Sequence, residues 1–175
     1  MTSAFDIKGL NEIRKLGINF YKVPSSEINN IPFLQHLGSF NKKTFLSTGI
    51  STIPEIDLAV KTLLNSGLSK NKLMILHCNS AYPTPYRDAN LNVIKILANR
   101  YKVPIGFSDH TLGIEAPIAA VALGAKVIEK HFTISKKLEG PDHTSSLEPQ
   151  ELNMMVKSIR NIENALGKDK KIVTK

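Results

Sequence analysis

The chain has 175 residues, a net charge of +8, and a composition of 42% hydrophobic and 22% charged residues, which allows one domain with a real core and not two. No apolar run reaches the roughly eighteen residues of a membrane span, residues 1–10 carry Asp6 and no apolar leader segment, and the single cysteine, Cys78, excludes an internal disulfide and suits a reducing cytoplasm. The lysines are scattered except for Lys168, Lys170, Lys171 and Lys175, with no interleaved aromatics. Residues 168–175 therefore read as a solvated basic tail after a domain of residues 1–167; neither nucleic acid nor a membrane is an expected partner, and the positive balance suits small anionic substrates.

In chain order, residues 6–16 read as a helix and residues 19–23 as a strand, followed by a helical stretch at 31–37. Residues 44–46 form a strand running into Ser47-Thr48-Gly49. A helix over 54–64 follows: Ile56, Val60, Leu63 and Leu64 share a face, Pro54 suits the first turn, and Thr52 is placed to cap it. Residues 72–77 are a strand, 91–101 a helix with Val93, Ile94 and Leu97 inward, and 104–107 a strand. A small-residue helix over 116–123 stops at Gly124, residues 126–131 are a strand, and a long helix over 149–166 stops at Gly167.

Strand and helix alternating at this spacing specify βα units around a parallel sheet. Polar residues gather where strands end: Lys22 and Ser25, Ser47 and Thr48, Asn79 and Ser80, Ser108-Asp109-His110, then Glu129 and His131. A parallel barrel draws its active site from several strand ends in this way. The absence of a GxGxxG or Walker loop counts against a doubly wound nucleotide-binding sheet.

On the last strand Val127, Glu129 and His131 alternate onto one face, and Ile128, Lys130 and Phe132 onto the other. Glu129 and His131 then point into the barrel mouth and Lys130 faces outward. His110, at the end of the preceding strand, should lie beside His131. Two neutral imidazoles with nearby carboxylates can hold a divalent cation, Mn²⁺ or Mg²⁺, as a Lewis acid, although zinc is also compatible. A Glu–His pair that merely closes the barrel is the structural alternative. An inward lysine, Lys22, is costly unless it meets an anion; with Ser25, Ser47, Thr48, Ser80 and Ser108 it can form a phosphate or carboxylate pocket, unless those hydroxyls only cap helices. Tyr82-Pro83-Thr84-Pro85 is a stiff loop that aims Tyr82. Gly140-Pro141-Asp142-His143 is a turn in which Asp142 can accept sugar hydroxyls or trade a proton.

These residues resemble the N-acetylneuraminate (sialic acid) synthase family, which includes the legionaminate and pseudaminate synthases. The likeness runs nearly end to end and rests on the order and spacing of Phe20-Tyr21-Lys22-Val23-Pro24-Ser25, Glu27-Ile28-Asn29-Asn30, Leu46-Ser47-Thr48-Gly49, Leu76-His77-Cys78, Tyr82-Pro83-Thr84-Pro85, Gly106-Phe107-Ser108-Asp109-His110-Thr111-Leu112-Gly113, Val127-Ile128-Glu129-Lys130-His131-Phe132, Gly140-Pro141-Asp142-His143 and Ser146-Leu147-Glu148-Pro149. The resemblance implies a (β/α)8 TIM barrel. It implies His110 and His131 as ligands of Mn²⁺ or Mg²⁺, and Lys22, Ser25, Ser47 and Ser108 as contacts of phosphoenolpyruvate. Ser80 stands where some members carry an asparagine in that role. Glu129, Tyr82 and Asp142 match positions near the sugar and the reacting carbons. The implied reaction condenses phosphoenolpyruvate with an N-acetylated amino sugar, N-acetylmannosamine or a 2,4-diacetamido-trideoxyhexose, into a nine-carbon sugar acid with release of phosphate. The implied assembly is a homodimer. The Gly140-Pro141-Asp142-His143 loop leans to the neuraminate and legionaminate branches, and His77-Cys78-Asn79 slightly to the latter.

Measured against that family, the barrel is expected to be incomplete, with about five βα units. Ser3-Ala4-Phe5-Asp6 matches the end of a third strand; two earlier strands, with a glutamate and a lysine of the family's site, and a C-terminal antifreeze-like domain are expected to be missing. The strands at 19–23 and 126–131 should each lack a neighbour. The alternative to synthase activity is a non-catalytic fragment or remnant that needs other chain segments. A Schiff-base aldolase working through Lys22 ranks last.

Overall fold

The computed structural model describes residues 1–168, 170, 171 and 173. Of the basic cluster, Lys175 lies outside the described residues. Among the described residues the strands are β1 (Thr2–Ser3), β2 (Phe20–Val23), β3 (Lys43–Ser47), β4 (Leu73–Cys78), β5 (Ile105–Asp109) and β6 (Ile128–Lys130). They lie side by side in sequence order, all parallel. The helices α1 (Ile7–Lys15), α2 (Ile31–Ser39), α3 (Ile53–Asn65), α4 (Val93–Tyr101), α5 (Glu115–Ala122) and α6 (Pro149–Leu166) each follow one strand. The architecture is a partial TIM barrel, as the repeated βα pattern predicts.

The sheet has six strands where the sequence pattern shows five. The additional one is the two-residue β1, which pairs Thr2 with Tyr21 and Ser3 with Lys22. The expectation that the strand at 19–23 lacks a neighbour is thereby corrected. Two residues are too few to carry an alternating pattern, so no periodicity announces such a strand. At the other edge β6 pairs only with β5 among the described residues.

Ladder register separates the two faces of the sheet. Tyr21, Val23, Leu46, Leu73, Ile75, Ile105 and Phe107 are buried and pack in one cluster with Leu10, Phe33, Leu34, Leu37, Ile56, Val60, Leu63, Ile94 and Leu97 of the helices. The core therefore lies between sheet and helices. The opposite, concave face carries Lys22, Ser47, Cys78, Ser108 and Glu129, in line with the cross-strand register. The curl is strong enough for Lys22 of β2 to reach Glu129 of β6, with Nζ 2.6 Å from Oε1.

The helix signals act locally. Asp6 caps α1 by accepting from the Gly9 amide at 2.6 Å. Asn30 caps α2 through Phe33 at 3.2 Å. At α3 the Glu55 carboxylate accepts from the Thr52 amide at 2.7 Å and the Thr52 hydroxyl at 2.6 Å, half of a capping box. Pro149 opens α6 and Gly167 ends it with φ of 60°, where a residue without Cβ is favoured. No helix among the described residues is long and apolar enough to cross a membrane.

Candidate active site

The C-terminal ends of the strands surround a cleft of about 420 Å³ lined by Lys22, Ser25, Ser47, Ser80, Tyr82, Ser108, His110, Glu129 and His131. Nine of the ten singled-out residues thus meet in one place, although they come from strands and loops more than a hundred residues apart in the chain. The tenth, Asp142, is exposed on the loop after β6, with its Oδ2 3.7 Å from His131 Nδ1. A broader depression on α1, lined by Ile7, Lys8, Asn11, Glu12, Arg14 and Lys15, gathers no convergent groups from other elements.

Glu129 is the hub of the polar network. Its Oε1 accepts from Lys22 Nζ at 2.6 Å and from Ser108 Oγ at 2.7 Å. Ser25 Oγ accepts from the Gly49 amide at 2.9 Å and lies 3.4 Å from Cys78 Sγ. The Ser47 hydroxyl is buried and has no hydrogen-bond partner among the described residues. An orphaned buried hydroxyl is costly, so a polar ligand or water in the cleft would relieve it. Thr48, grouped with these serines on sequence grounds, instead donates to the Leu76 carbonyl at 2.9 Å and does not line the cleft.

The histidines converge. Their ring centroids are 5.4 Å apart and perpendicular, and Tyr82 lies against both, 4.0 Å from His110 and 5.3 Å from His131. His110 Nδ1 sits 2.5 Å from the Asn79 carbonyl oxygen. A carbonyl only accepts, so Nδ1 carries the proton and Nε2 keeps its lone pair. The nearest donor to Nε2 is Ser108 Oγ at 3.5 Å, whose proton is already directed to Glu129. Burial, reinforced by the neighbouring His131, lowers the His110 pKa and favours neutral imidazole. Burial, and then the nearby Cys78, Asp142 and Glu129, raise that of Tyr82.

Two facing imidazoles are candidate donors for a divalent cation. A neutral imidazole with one nitrogen anchored and the other free is a prepared ligand. Among the described residues no group of three or more histidine, cysteine or carboxylate side chains is arranged to hold a metal ion, so the protein side chains by themselves supply two ligands at most. Two histidines would leave positions for water or substrate, the arrangement that Lewis-acid chemistry requires.

Sequence reasoning missed Phe5, Ile50 and Cys78 as cleft residues. Cys78 was legible in principle, because it alternates with Leu76 on the inward face of β4 and its ladder partner is Ser108. Phe5 and Ile50 come from loops, where no periodicity speaks. Lys130 points away from the cleft, as its place in the alternation of β6 requires, and on that side its side chain is 3% exposed and paired with fully buried Asp109 at 2.6 Å.

Comparison with known proteins places this geometry in a lineage. The model of the NeuB family matches residues 1–171. The N,N'-diacetyllegionaminic acid synthase of Campylobacter jejuni is 44% identical over 95% of this chain and 50% of its own length. That of Legionella pneumophila is 43% identical over 98% of this chain and 49% of its own. The crystal structure of N-acetylneuraminic acid synthetase from Leptospira borgpetersenii superposes with a TM-score of 0.91 at 38% identity, covering 98% of this chain and 59% of that one. The chain spans about half the length of the curated relatives it matches.

Proposed function

The chain belongs to the NeuB family, and we propose that its cleft is the phosphoenolpyruvate- and metal-binding part of a synthase that condenses phosphoenolpyruvate with an N-acetylated amino sugar. The product is a nine-carbon sugar acid and phosphate is released. The observation that carries the reading is the single cleft shared by a cationic group, a set of hydroxyls, a carboxylate and two facing imidazoles. The acceptor is N-acetylmannosamine or a 2,4-diacetamido-trideoxyhexose; the two legionaminic acid synthases among the relatives favour the latter.

In this reading Lys22, Ser25, Ser47, Ser80 and Ser108 receive the anionic phosphoenolpyruvate. Lys22 leaves Glu129 for the incoming anion, and that frees the Glu129 carboxylate at the reacting carbons. Preorganised donors around a developing charge supply most of such catalysis. His110 and His131 would hold Mn²⁺ or Mg²⁺, which would supply Lewis-acid polarisation of the sugar carbonyl. Tyr82, exposed at the cleft mouth against both imidazoles, bounds the sugar side, and Asp142 contributes an acceptor at the rim. The family resemblance implies a cytoplasmic location, and a homodimer for the full-length synthase.

Titration calorimetry tests the cleft. Lys22→Ala should raise the phosphoenolpyruvate dissociation constant at least tenfold, about 1.4 kcal/mol; wild-type affinity in that variant would make Lys22 a purely structural partner of Glu129. A second reading, in which this chain binds ligands but turns over only with further segments, is favoured by its spanning half of its relatives and by the unpaired outer sides of β1 and β6 among the described residues. Phosphate release from phosphoenolpyruvate and either sugar separates the two: steady turnover by the chain alone supports the first reading, ligand binding without turnover the second.

A further inference from the structure

Behind the cleft lies a buried ion pair that the proposed chemistry does not use. Asp109 and Lys130 are direct partners on the last rung of the β5–β6 ladder. The next inward rung, Ser108 with Glu129, faces the cleft; the Asp109–Lys130 rung faces the helix side. Both members are almost wholly enclosed, at 0% and 3% side-chain exposure. His110 and His131 each stand one residue beyond this rung.

The pair also grips the far side of His110. Asp109 Oδ1 accepts from the Thr111 amide at 2.9 Å, and its Oδ2 accepts from the Thr111 hydroxyl at 3.1 Å. Lys130 Nζ donates to both Asp109 Oδ2 and the Thr111 carbonyl. Thr111 is therefore anchored at its amide, hydroxyl and carbonyl, and His110 is suspended between two pinned residues. Stability alone does not account for such a pair, because replacing a buried ion pair with neutral groups of similar shape is often neutral or stabilising.

We propose that Asp109 and Lys130 are positioning residues that hold His110 in its Nδ1–H form on the Asn79 carbonyl and set its separation from His131. The metal-affinity consequence rests on the proposed metal role of the two histidines; the effect on the His110 ring does not. Partners one shell outside a metal ligand act in this way, by fixing ring orientation and tautomer.

The test compares wild type with Asp109→Asn/Lys130→Met, a pair close in shape and free of charge. Long-range ¹H–¹⁵N spectra of histidine-labelled protein report which nitrogen of His110 is protonated, and titration with Mn²⁺ alone reports affinity. The double variant should remain folded, lose the fixed Nδ1–H signature of His110, and bind Mn²⁺ about tenfold more weakly. Retention of the wild-type His110 spectrum in the folded variant would overturn the proposal. Should the double variant fail to fold, Thr111→Val, which deletes one hydroxyl bond to Asp109, takes its place, with partial loss of the signature expected and an unchanged spectrum overturning the idea. His131→Ala serves as the control: it should abolish Mn²⁺ binding and leave the His110 signature intact. Mn²⁺ binding indifferent to His131 removes the metal reading, while the His110 spectrum still decides the positioning role.

Discussion

Gly49 shows how little side chain the cleft tolerates. A Cβ at this position would sit 2.5 Å from Ser80 Oγ, 2.9 Å from Ser25 Oγ and 3.0 Å from Cys78 Sγ. Its backbone is not among the positive-φ glycines, so the conflict for alanine is one of space and not of conformation, and these side-chain tips must swing aside to admit it. Gly49→Ala should therefore weaken phosphoenolpyruvate binding at least tenfold, about 1.4 kcal/mol, with a melting temperature near that of wild type; calorimetry and a thermal melt together check this. Cys78 gives a pH prediction. Burial raises its thiol pKa, and the Ser25 hydrogen bond only partly offsets this. The reactive thiolate is thus scarcer at any given pH than for a free cysteine of pKa about 8.5. Alkylation of the folded protein should lag behind that of the urea-unfolded chain at neutral pH and quicken only above the ordinary thiol range; a native rate matching the unfolded one would contradict the burial. Both residues lie in strings whose family resemblance was visible in the sequence. Their roles were not, because each depends on which side chains from other strands stand opposite.

Helix contacts show the same division. Gly38 in α2 and Leu63 in α3 mark a close crossing, where a Cβ on Gly38 would come within 2.7 Å of the Leu63 carbonyl and 2.8 Å of Ser66 Cβ. Helix backbones cannot yield as a side-chain tip does, so Gly38→Ala should destabilise by roughly 1–3 kcal/mol, read from urea denaturation. Asp57 of α3 is bound by Arg100 and Tyr101 of α4, with Arg100 Nε at 2.8 Å and Tyr101 Oη at 2.9 Å. The Arg100 hydrogen bond holds the Asp57 pKa below its ordinary value. A depressed carboxylate pKa contributes stability above the unfolded value, about 3.9, and loses it as pH falls through the folded one. Asp57→Asn should accordingly melt below wild type at pH 7, with the gap closing below about pH 3.9; a gap independent of pH would mean the contact is steric. The pair is exposed, so the effect is small. Apolar spacing with Pro54 for α3, and the glycine stop at Gly167 for α6, located these helices to within a residue or two, because amphipathic period and caps are local signals. The Asp57–Arg100 tie joins residues 43 positions apart and leaves no such trace.

At the scale of the whole molecule the sheet is open. Among the described residues β1 and β6 each have one neighbour, and a parallel barrel removes its edges only by closing. Unpaired edges template association. The chain by itself should show concentration-dependent self-association in sedimentation velocity, and an unchanging monomer across a hundredfold concentration range would refute this. The same opening underlies the expectation that turnover depends on additional segments.

The residues by themselves determined the βα alternation, the helix limits and the set of polar strand ends, since side-chain period, caps and glycine stops are written within a few positions of where they act. The family resemblance added roles that spacing could not supply. Tertiary structure alone decided that Glu129 lies between Lys22 and Ser108, that Thr48 serves the backbone and not the cleft, and that Lys130 is buried against Asp109. Each depends on the curl and register of the sheet, which bring together residues up to 107 positions apart, and long-range register is a property of the assembled ladder, not of any single segment.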